Sequence, residues 1–456
     1  MKKILVIALL IIAALVVAII GTLYWLAPVA PTSANVPPPP VESVLSGDPG
    51  REDCRHYNPR RQPFFGDLHV HTAYSLDANM KGLRAGPDVA YRYALGEPVG
   101  LPPYDEDGRS LNIQQSGRPL DFAAVTDHAE LLGETRICRT PGVAGYNSLT
   151  CRVYRLTDGR TGQFINVHGA VGARLPFCGP DGEHCREEGL VPWRDTQRAA
   201  EAVYDRSSDC SFTSFVGYEW TAGPFLSDPP RAVNLHRNVI FRNDVVPRHP
   251  ISTDEALKAG DLWRQLDASC TQAENACDAV VIPHNSNLSI GQMFETTDPS
   301  LSPELTAEDA ERRARLEILV EIIQHKGVSE CLPGAHGLVV SDELCDFELL
   351  PWSERIGANI PMVRKPPQPR HGFMREVLRD GFRHKERLGF NPFKTGFIGS
   401  TDSHRAIPGG TDENSFTGHN GQGYRETPEP QGLPDVWAFN PGGLAVLWAE
   451  QNNRES

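Results

Sequence analysis

The sequence has no excess of positive charge. Lys and Arg together number 44, against 58 Asp and Glu, and the formal net charge is −14. Proteins that bind nucleic acids in general carry a basic surface, so we expect no nucleic-acid partner. A small anionic, phosphorylated substrate stays compatible with this charge, because metal cations bound at a site would dominate the electric field around it.

The chain also lacks any Cys-x-x-Cys pair, which makes a structural zinc site the weaker interpretation of its ten cysteines. An even number of cysteines in an exported chain favours disulfide bonds. Eight of them form four pairs that are close in sequence, and two are left for a long-range pair. The simplest pairing, which the sequence alone does not fix, joins Cys138 with Cys151, Cys178 with Cys185, Cys270 with Cys277, Cys331 with Cys345, and Cys54 with Cys210.

A long apolar run lies at the N-terminus. Lys2 and Lys3 precede an uncharged run at residues 4–26, and about 20 apolar residues are enough to span the hydrocarbon core of a bilayer. A cleavable signal peptide usually has a shorter apolar stretch, about 7–15 residues. Residues 1–27 are therefore predicted to be a transmembrane helix that anchors the protein in the membrane, with a cleaved signal segment as the alternative. In both cases the rest of the chain is expected outside the cytoplasm, periplasmic or extracellular, because the lysine pair stays inside.

The remaining chain divides into a tether and one domain. Residues 28–50 contain four successive prolines and few large apolar side chains, which is typical of an extended tether. Residues 51–456 show no internal repeat. Apolar runs alternate there with helical patterns, which indicates an α/β class with a largely parallel sheet. Segments near 97–120 and 129–195, rich in Gly and Pro or in Gly and Cys, are predicted to be loop insertions over one face.

The most informative motif is Phe-Gly-Asp-Leu-His-Val-His-Thr at residues 65–72. His69 and His71 follow an apolar run, and residues i and i+2 of a strand point to the same side of a sheet. Both imidazoles can therefore reach one metal ion. Other apolar runs end in Val-Thr-Asp-His, Gly-Tyr-Glu-Trp, His-Arg-Asn-Val-Ile, Ile-Pro-His-Asn and Ser-Thr-Asp-Ser-His. A barrel that delivers His and carboxylate side chains from its strand ends assembles a metal centre at one mouth.

These motifs, in this order, resemble those of the PHP (polymerase and histidinol phosphatase) superfamily, and more narrowly a PHP-like bacterial family catalogued as a domain of unknown function. The resemblance runs from about Arg51 to near the C-terminus. It implies a distorted (β/α)7 barrel with two or three divalent ions at its mouth, and it makes Glu219 the carboxylate that bridges two of them. The metal ligands that it implies are His69, His71, Asp77, His128, Glu219, His236, His284, Asp402 and His404.

The ligand types predict both the metal and the chemistry. Imidazoles with carboxylates suit Zn²⁺, Mn²⁺ or Fe²⁺ better than Mg²⁺ or Ca²⁺. A cluster of such ions activates a bound water and stabilises the attacking and leaving oxygens, so the protein is predicted to be a phosphoesterase with Glu219 and Asp402 at its catalytic centre. Lys326, or its neighbour His325, and Arg405 are candidates for holding a substrate anion, with a surface loop as the alternative for each.

Two other functions remain open from the sequence: hydrolysis of a C–N or other non-phosphate bond, and a non-catalytic metal-binding or scaffold role. Asp67 and Asp127 adjoin ligands on strands, so their side chains are predicted to bond to loops behind the metal. The histidines predicted to lie on the surface or in loops include His371 and His419. No oligomeric state follows from the sequence.

Overall fold

A computed structural model describes the chain from residue 37 to the C-terminus with gaps. The described residues are 37–46, 49–157, 174–223, 225–226, 231–271, 277–294, 306–332, 344–352, 370–412, 416, 418–420 and 439–456.

The described part of the chain contains fifteen strands and eight α-helices. The strands are β1 (Val41–Glu42), β2 (Gln62–Asp67), β3 (Val99–Tyr104), β4 (Ser110–Gln114), β5 (Phe122–Val125), β6 (Thr213–Trp220), β7 (Phe225–Leu226), β8 (Arg231–Ala232), β9 (Arg237–Phe241), β10 (Val246–Pro247), β11 (Ala279–Pro283), β12 (Leu319–Gln324), β13 (Gly327–Val328), β14 (Gly396–Gly399) and β15 (Ala445–Ala449). The helices are α1 (Leu76–Asn79), α2 (Pro87–Ala94), α3 (Leu132–Arg139), α4 (Leu149–Leu156), α5 (Glu183–Val203), α6 (Ala259–Leu266), α7 (Ala307–Leu316) and α8 (Met374–Leu388).

Local sequence explains several of these elements. All four residues of β5 are buried, as expected for a parallel strand that is covered on both faces. Helix α7 begins after Thr306, whose side chain accepts a hydrogen bond from the backbone N–H of Asp309, which satisfies one of the free donors of the first turn. Helix α8 ends at Gly389, where φ is 87°, a left-handed conformation that glycine adopts at little cost.

The main sheet has six strands in the order β11-β9-β6-β5-β2-β15 and curls into a half-barrel. β2, β5 and β6 are parallel neighbours. A second sheet has the order β13-β12-β14. Two isolated bridges link the sheets: His284 after β11 pairs with Glu321 in β12, and Val70 after β2 pairs with Ser403 after β14. These bridges bring the ends of both sheets to one edge of the molecule.

The prediction of a distorted (β/α)7 barrel is wrong, and the architecture is a mixed α/β fold. β9 is antiparallel to both β6 and β11, and β15 is antiparallel to β2. Antiparallel neighbours need no crossover helix, and in the described residues no helix separates β6 from β9. In the described residues the six-stranded sheet has two edges, β11 and β15, where a barrel would have none.

The predicted membrane partnership is also corrected. A spanning helix needs about 20 largely apolar residues. None of the helices in the described ranges is long and apolar enough to cross a membrane. The run at residues 4–26, on which the transmembrane prediction rested, lies outside the described residues.

All five predicted cysteine pairs form disulfide bonds, with Cα–Cα distances between 4.6 and 5.7 Å. The pairing of sequence neighbours and the long-range pair Cys54–Cys210 are therefore confirmed. Disulfide bonds in this number are typical of an oxidising or extracellular compartment.

The predicted insertions contribute to the main apolar core, through Leu101 of β3 and Trp193 of α5. Trp193, Tyr218, Trp220 and Trp263 are buried in the main apolar cluster. The segment near 97–120 forms the hairpin of β3 and β4, and the segment near 129–195 contributes α3, α4 and most of α5. Part of the predicted tether also packs on the domain, because β1 pairs with β10.

Candidate metal centre

Strand ends deliver the predicted ligands to one edge of the curled sheet. The carboxyl ends of β2, β5 and β6 share this edge because the strands are parallel, and antiparallel β9 begins at it. Local sequence thus decides which residues leave each strand, and the strand directions decide that they meet. The side chains brought together are His69 and His71 after β2, His128 after β5, Glu219 in β6, His236 before β9, His284 after β11, and Asp402 and His404 after β14, with Asp77 on α1.

In the innermost part of the cluster, His69 and His71 lie next to one oxygen of Glu219 and one oxygen of Asp402. The Nε2 atom of His71 lies 3.2 Å from Oε2 of Glu219 and 3.1 Å from Oδ1 of Asp402. The Nε2 atom of His69 lies 3.5 Å and 3.3 Å from the same two oxygens. The two Nε2 atoms are 3.2 Å apart. All four side chains are buried, so this group is closed to bulk solvent.

The other oxygen of Glu219 faces a different pair of histidines. Its Oε1 atom lies 2.7 Å from Nδ1 of His236 and 2.9 Å from Nε2 of His284. The Oε2 atom also lies 3.1 Å from Nδ1 of His128. Each oxygen of this one carboxylate therefore belongs to a separate set of potential ligand atoms.

A further group forms around Asp77 at the more open side. Its Oδ2 atom lies 2.6 Å from Nε2 of His404 and 3.2 Å from Nε2 of His128. The side chains of Asp77 and His236 are 14% and 19% exposed, whereas those of His69 and His71 are 0% exposed. The cluster is thus closed on the side of β2 and accessible beside α1 and β9.

The donor set fits metal ions. In the described part of the chain, neither Oε2 of Glu219 nor Oδ1 of Asp402 takes part in a hydrogen bond, although both are buried. Burial of a carboxylate oxygen without a hydrogen bond costs free energy unless a cation or a hydrogen-bond donor compensates its charge. Groups of potential ligand atoms that lie within 4.8 Å of one another include His71, Asp77, His128 and His404; His69, His71 and Glu219; and Glu219, His236 and His284. The group of Glu134, Cys178 and Cys185 is not a candidate metal site, because the two cysteines form a disulfide bond.

The charges of the cluster depend strongly on one another. Burial raises the pKa of the Glu219 carboxyl, but His128, His284 and His236 outweigh burial and hold this pKa well below its ordinary value. Burial lowers the pKa of His128, but Glu219 and Asp77 outweigh that effect and raise it to about 9. Without metal, a proton therefore occupies the imidazole of His128, on a nitrogen that a metal ion would take.

Glu321 belongs to the site, and the sequence analysis missed it. Its Oε2 atom in β12 lies 3.0 Å from Nδ1 of His69, whose Nε2 atom points into the cluster. A carboxylate on the far nitrogen of a liganding histidine fixes the orientation of the ring and strengthens it as a ligand. The available signal was a carboxylate within the otherwise apolar run Leu-Val-Glu-Ile-Ile at 319–323.

The prediction for Asp67 and Asp127 is confirmed. Asp67 accepts hydrogen bonds from Thr401 and from the backbone N–H of Gly409. Asp127 accepts from Thr72 and from the hydroxyl of Ser75, which in turn lies 2.9 Å from Nδ1 of His71. Both carboxylates hold the loops that carry ligands.

The candidate anion-binding residues lie in different surroundings. The Nζ atom of Lys326 contacts Oδ2 of Asp402, and its side chain is 24% exposed. His325 is buried, and its Nε2 atom lies 3.3 Å from the same oxygen. Arg405 is fully buried and donates from Nη1 to the carbonyl of Gly418. Lys326 thus borders the cluster, whereas Arg405 supports the loop beside His404.

The positions of His371 and His419 test the prediction that these histidines lie on the surface or in loops. His371 is 56% exposed and its Nδ1 atom lies 2.8 Å from Oδ2 of Asp380, as predicted for a surface residue. His419 lies in a loop, also as predicted, but it is fully buried, with its ring 5.5 Å from that of His325. Nothing in its local sequence distinguishes it, because its burial depends on the loops around it.

The fold and the cluster define a mixed α/β protein with buried His, Asp and Glu groups that can bind metal ions at one edge of a curled sheet. The chain belongs to the family described as protein of unknown function (DUF3604), whose model matches residues 58–456. No curated protein and no solved structure matches the chain. These comparisons give no evidence for membership of the PHP superfamily, which stays a hypothesis.

Proposed function

We propose that the protein is a metal-dependent hydrolase and that it cleaves phosphate esters. The observation that carries this proposal is the position of Glu219, which presents one oxygen to His236 and His284 and the other to the histidines after β2 and β5. A carboxylate shared in this way is suited to bridge two ions. The resemblance of the ordered motifs to those of PHP hydrolases supports the same conclusion.

Two or three ions of Zn²⁺, Mn²⁺ or Fe²⁺ suit this donor set. The residues that would hold them are the three overlapping groups around Glu219 and Asp77, together with Asp402. When bound, such ions supply a water of lowered pKa and positive charge that stabilises the attacking and leaving oxygens.

Several residues of the chain have separate roles beside those of the ions. Asp402 presents Oδ1 to His69 and His71, while its Oδ2 atom contacts Lys326. The partly exposed ammonium group of Lys326 therefore stands at the border of the cluster, where it can bind an anionic oxygen of the substrate. Glu321 fixes the ring of His69, and the buried inner side excludes bulk water, which strengthens electrostatic interactions with the substrate.

Metal analysis followed by a substrate panel tests the proposal. The disulfide-bonded protein is expected to hold two or three ions. It is also expected to release nitrophenol from 4-nitrophenyl phosphate or bis(4-nitrophenyl) phosphate, with loss of activity on chelation and recovery with Mn²⁺, Zn²⁺ or Fe²⁺. Less than one ion per folded chain contradicts the metal centre. Bound ions with cleavage of cyclic amides alone favour C–N hydrolysis, and bound ions with neither activity favour a non-catalytic role.

A further inference from the structure

A cavity of about 550 Å³ lies beside α1, the short helix that carries Asp77. Its volume is within the range of small-molecule sites, about 300–1,000 Å³. The two predicted insertions supply most of its wall, through Tyr104 of β3 and through residues of α3 and α5 such as Arg136 and Val191. The insertions thus build a pocket next to the candidate metal centre.

The cavity is positively charged, although the protein as a whole is acidic. Lys81, Arg84, Arg136 and Arg139 line it, and Asp195 is the one carboxylate among the described residues that do so. Asp195 is in turn paired with Arg198, 2.9 Å away. Arg136 is likewise paired with Glu188, 2.9 Å away. The three other cations, in a chain of net charge −14, favour an anionic ligand.

Two of these cations contact neutral groups. The guanidinium of Arg84 lies over the ring of Tyr104, with Cζ 4.8 Å from the ring centroid. Arg139 donates from Nε to the side-chain oxygen of Asn79, 2.6 Å away. Neither forms an ion pair in the part of the chain that the structure describes. Their positive charges are therefore available to a ligand.

The cavity and the metal centre share a wall. Helix α1 carries Asp77, which faces His404 and His128, and Asn79, which lines the cavity. Lys81 lines the cavity too, and its Nζ atom contacts the side-chain oxygen of Asn420. The backbone of Asn420 is bridged to that of His404. Lys81 thus links the lining of the cavity to the loop that carries His404.

We propose that this cavity is the substrate subsite for a second anionic group, so that the preferred substrate is a small phosphate ester carrying another phosphate or carboxylate. The substrate part of this inference rests on the proposed phosphoesterase function. The ester group would lie at the metal centre, and the second anion would be bound by Arg84 and its neighbouring cations.

Binding of inorganic pyrophosphate to the metal-free, disulfide-bonded protein tests the subsite without catalysis. Calorimetry is expected to show binding that Arg84→Glu weakens by about tenfold or more, since charge-assisted hydrogen bonds contribute about 1.5–3 kcal/mol. Arg118→Glu is the matched control, because it makes the same change of charge. Arg118 is an exposed arginine that lies over an aromatic ring at the same distance, 4.8 Å from the centroid of Phe65, outside the cavity lining. Absence of binding, or equal binding by the wild type and Arg84→Glu, would overturn the subsite.

A kinetic comparison separates this inference from the proposed function. The metal-loaded wild type is expected to show a higher kcat/KM for fructose 1,6-bisphosphate than for fructose 6-phosphate. Arg84→Glu should lower the ratio of the two kcat/KM values about tenfold, while Arg118→Glu preserves it. Equal kcat/KM for both sugars with unchanged values in Arg84→Glu would refute the subsite and leave the phosphoesterase proposal standing. Pyrophosphate binding lost in Arg84→Glu, without hydrolysis of either sugar phosphate or of the nitrophenyl esters, would support the anion site and contradict the phosphoesterase.

Discussion

Two buried carboxylates, Glu317 and Glu219, sit among cationic or proton-binding side chains, yet their surroundings differ in one respect. Both oxygens of Glu317 accept hydrogen bonds: Oε1 from Nε of Arg237 at 2.7 Å and from the indole of Trp263 at 2.9 Å, and Oε2 from Nε of Arg313 at 2.8 Å. In the described residues, Oε2 of Glu219 has no hydrogen-bond partner. The first carboxylate is saturated by protein donors, and the second retains an oxygen for a ligand.

The difference separates a structural charge cluster from a binding site. Arginine is protonated at all ordinary pH values and donates in a fixed geometry, so the pairs around Glu317 need nothing from outside. Neutral histidine has a lone pair that can bind either a proton or a metal ion. Both carboxylates are buried, but the ion pairs at Glu317 are complete. At Glu219 a carboxylate oxygen is left whose negative charge a bound cation would compensate.

The largest effect is expected from breaking the saturated cluster. Glu317→Gln removes the charge that compensates two buried arginines, and loss of one partner of a buried pair typically costs about 3–5 kcal/mol. Denaturant unfolding should show this loss in the free energy of unfolding. Metal content per folded chain should stay that of the wild type. A loss below about 1 kcal/mol would contradict the assigned role of the cluster.

Glu219→Gln is expected to affect function more than folding. Removal of the shared negative charge weakens two sets of metal contacts at once. Hydrolysis of a chromogenic phosphate ester should fall on the order of a hundredfold or more, since even residues behind the ligands typically contribute about 10–100-fold.

His371→Asn is the control for Glu219→Gln, because His371 is 56% exposed and distant in sequence from every candidate ligand. Its activity should match that of the wild type. Full activity and full metal content in Glu219→Gln would show that this carboxylate does not bridge ions.

Glu321→Gln sharpens the comparison by changing a carboxylate that contacts a candidate ligand but not the centre of the cluster. The amide can still bond to Nδ1 of His69 but no longer carries the charge that strengthens this histidine. Metal affinity, measured by competition with a chelator, should fall about 10–100-fold. An affinity equal to that of the wild type would make Glu321 a packing residue.

The pH dependence of metal binding tests the protonation of His128 in the metal-free protein. Glu219 and Asp77 raise the pKa of His128 to about 9 in the metal-free protein, and a histidine must lose its proton to bind a metal ion. Below about pH 9 an ion that binds His128 must therefore displace this proton. Affinity should fall as the pH decreases, by up to about tenfold per pH unit for each proton displaced. Titration calorimetry at pH 7 and pH 9 checks both the change in affinity and the release of protons.

The sequence predicted the candidate site better than the fold. His69 and His71 could be placed because the two-residue period of a strand is local, and the cysteine pairs could be proposed because four of them are close in the chain. The directions of β9 and β15 could not be predicted, since an apolar run has the same pattern in parallel and antiparallel neighbours. That ambiguity is why the closed barrel was expected and a curled half-barrel was found.

The sequence by itself determined which side chains leave the strand ends, and with them a donor set of imidazoles and carboxylates. Only the tertiary structure decided that Glu321 supports His69, that His419 is buried, and that two insertions enclose a basic cavity beside α1. These contacts join residues far apart in the chain, and their geometry depends on how the sheets twist and pack. Local periodicity carries no information about such packing, so it could not predict them.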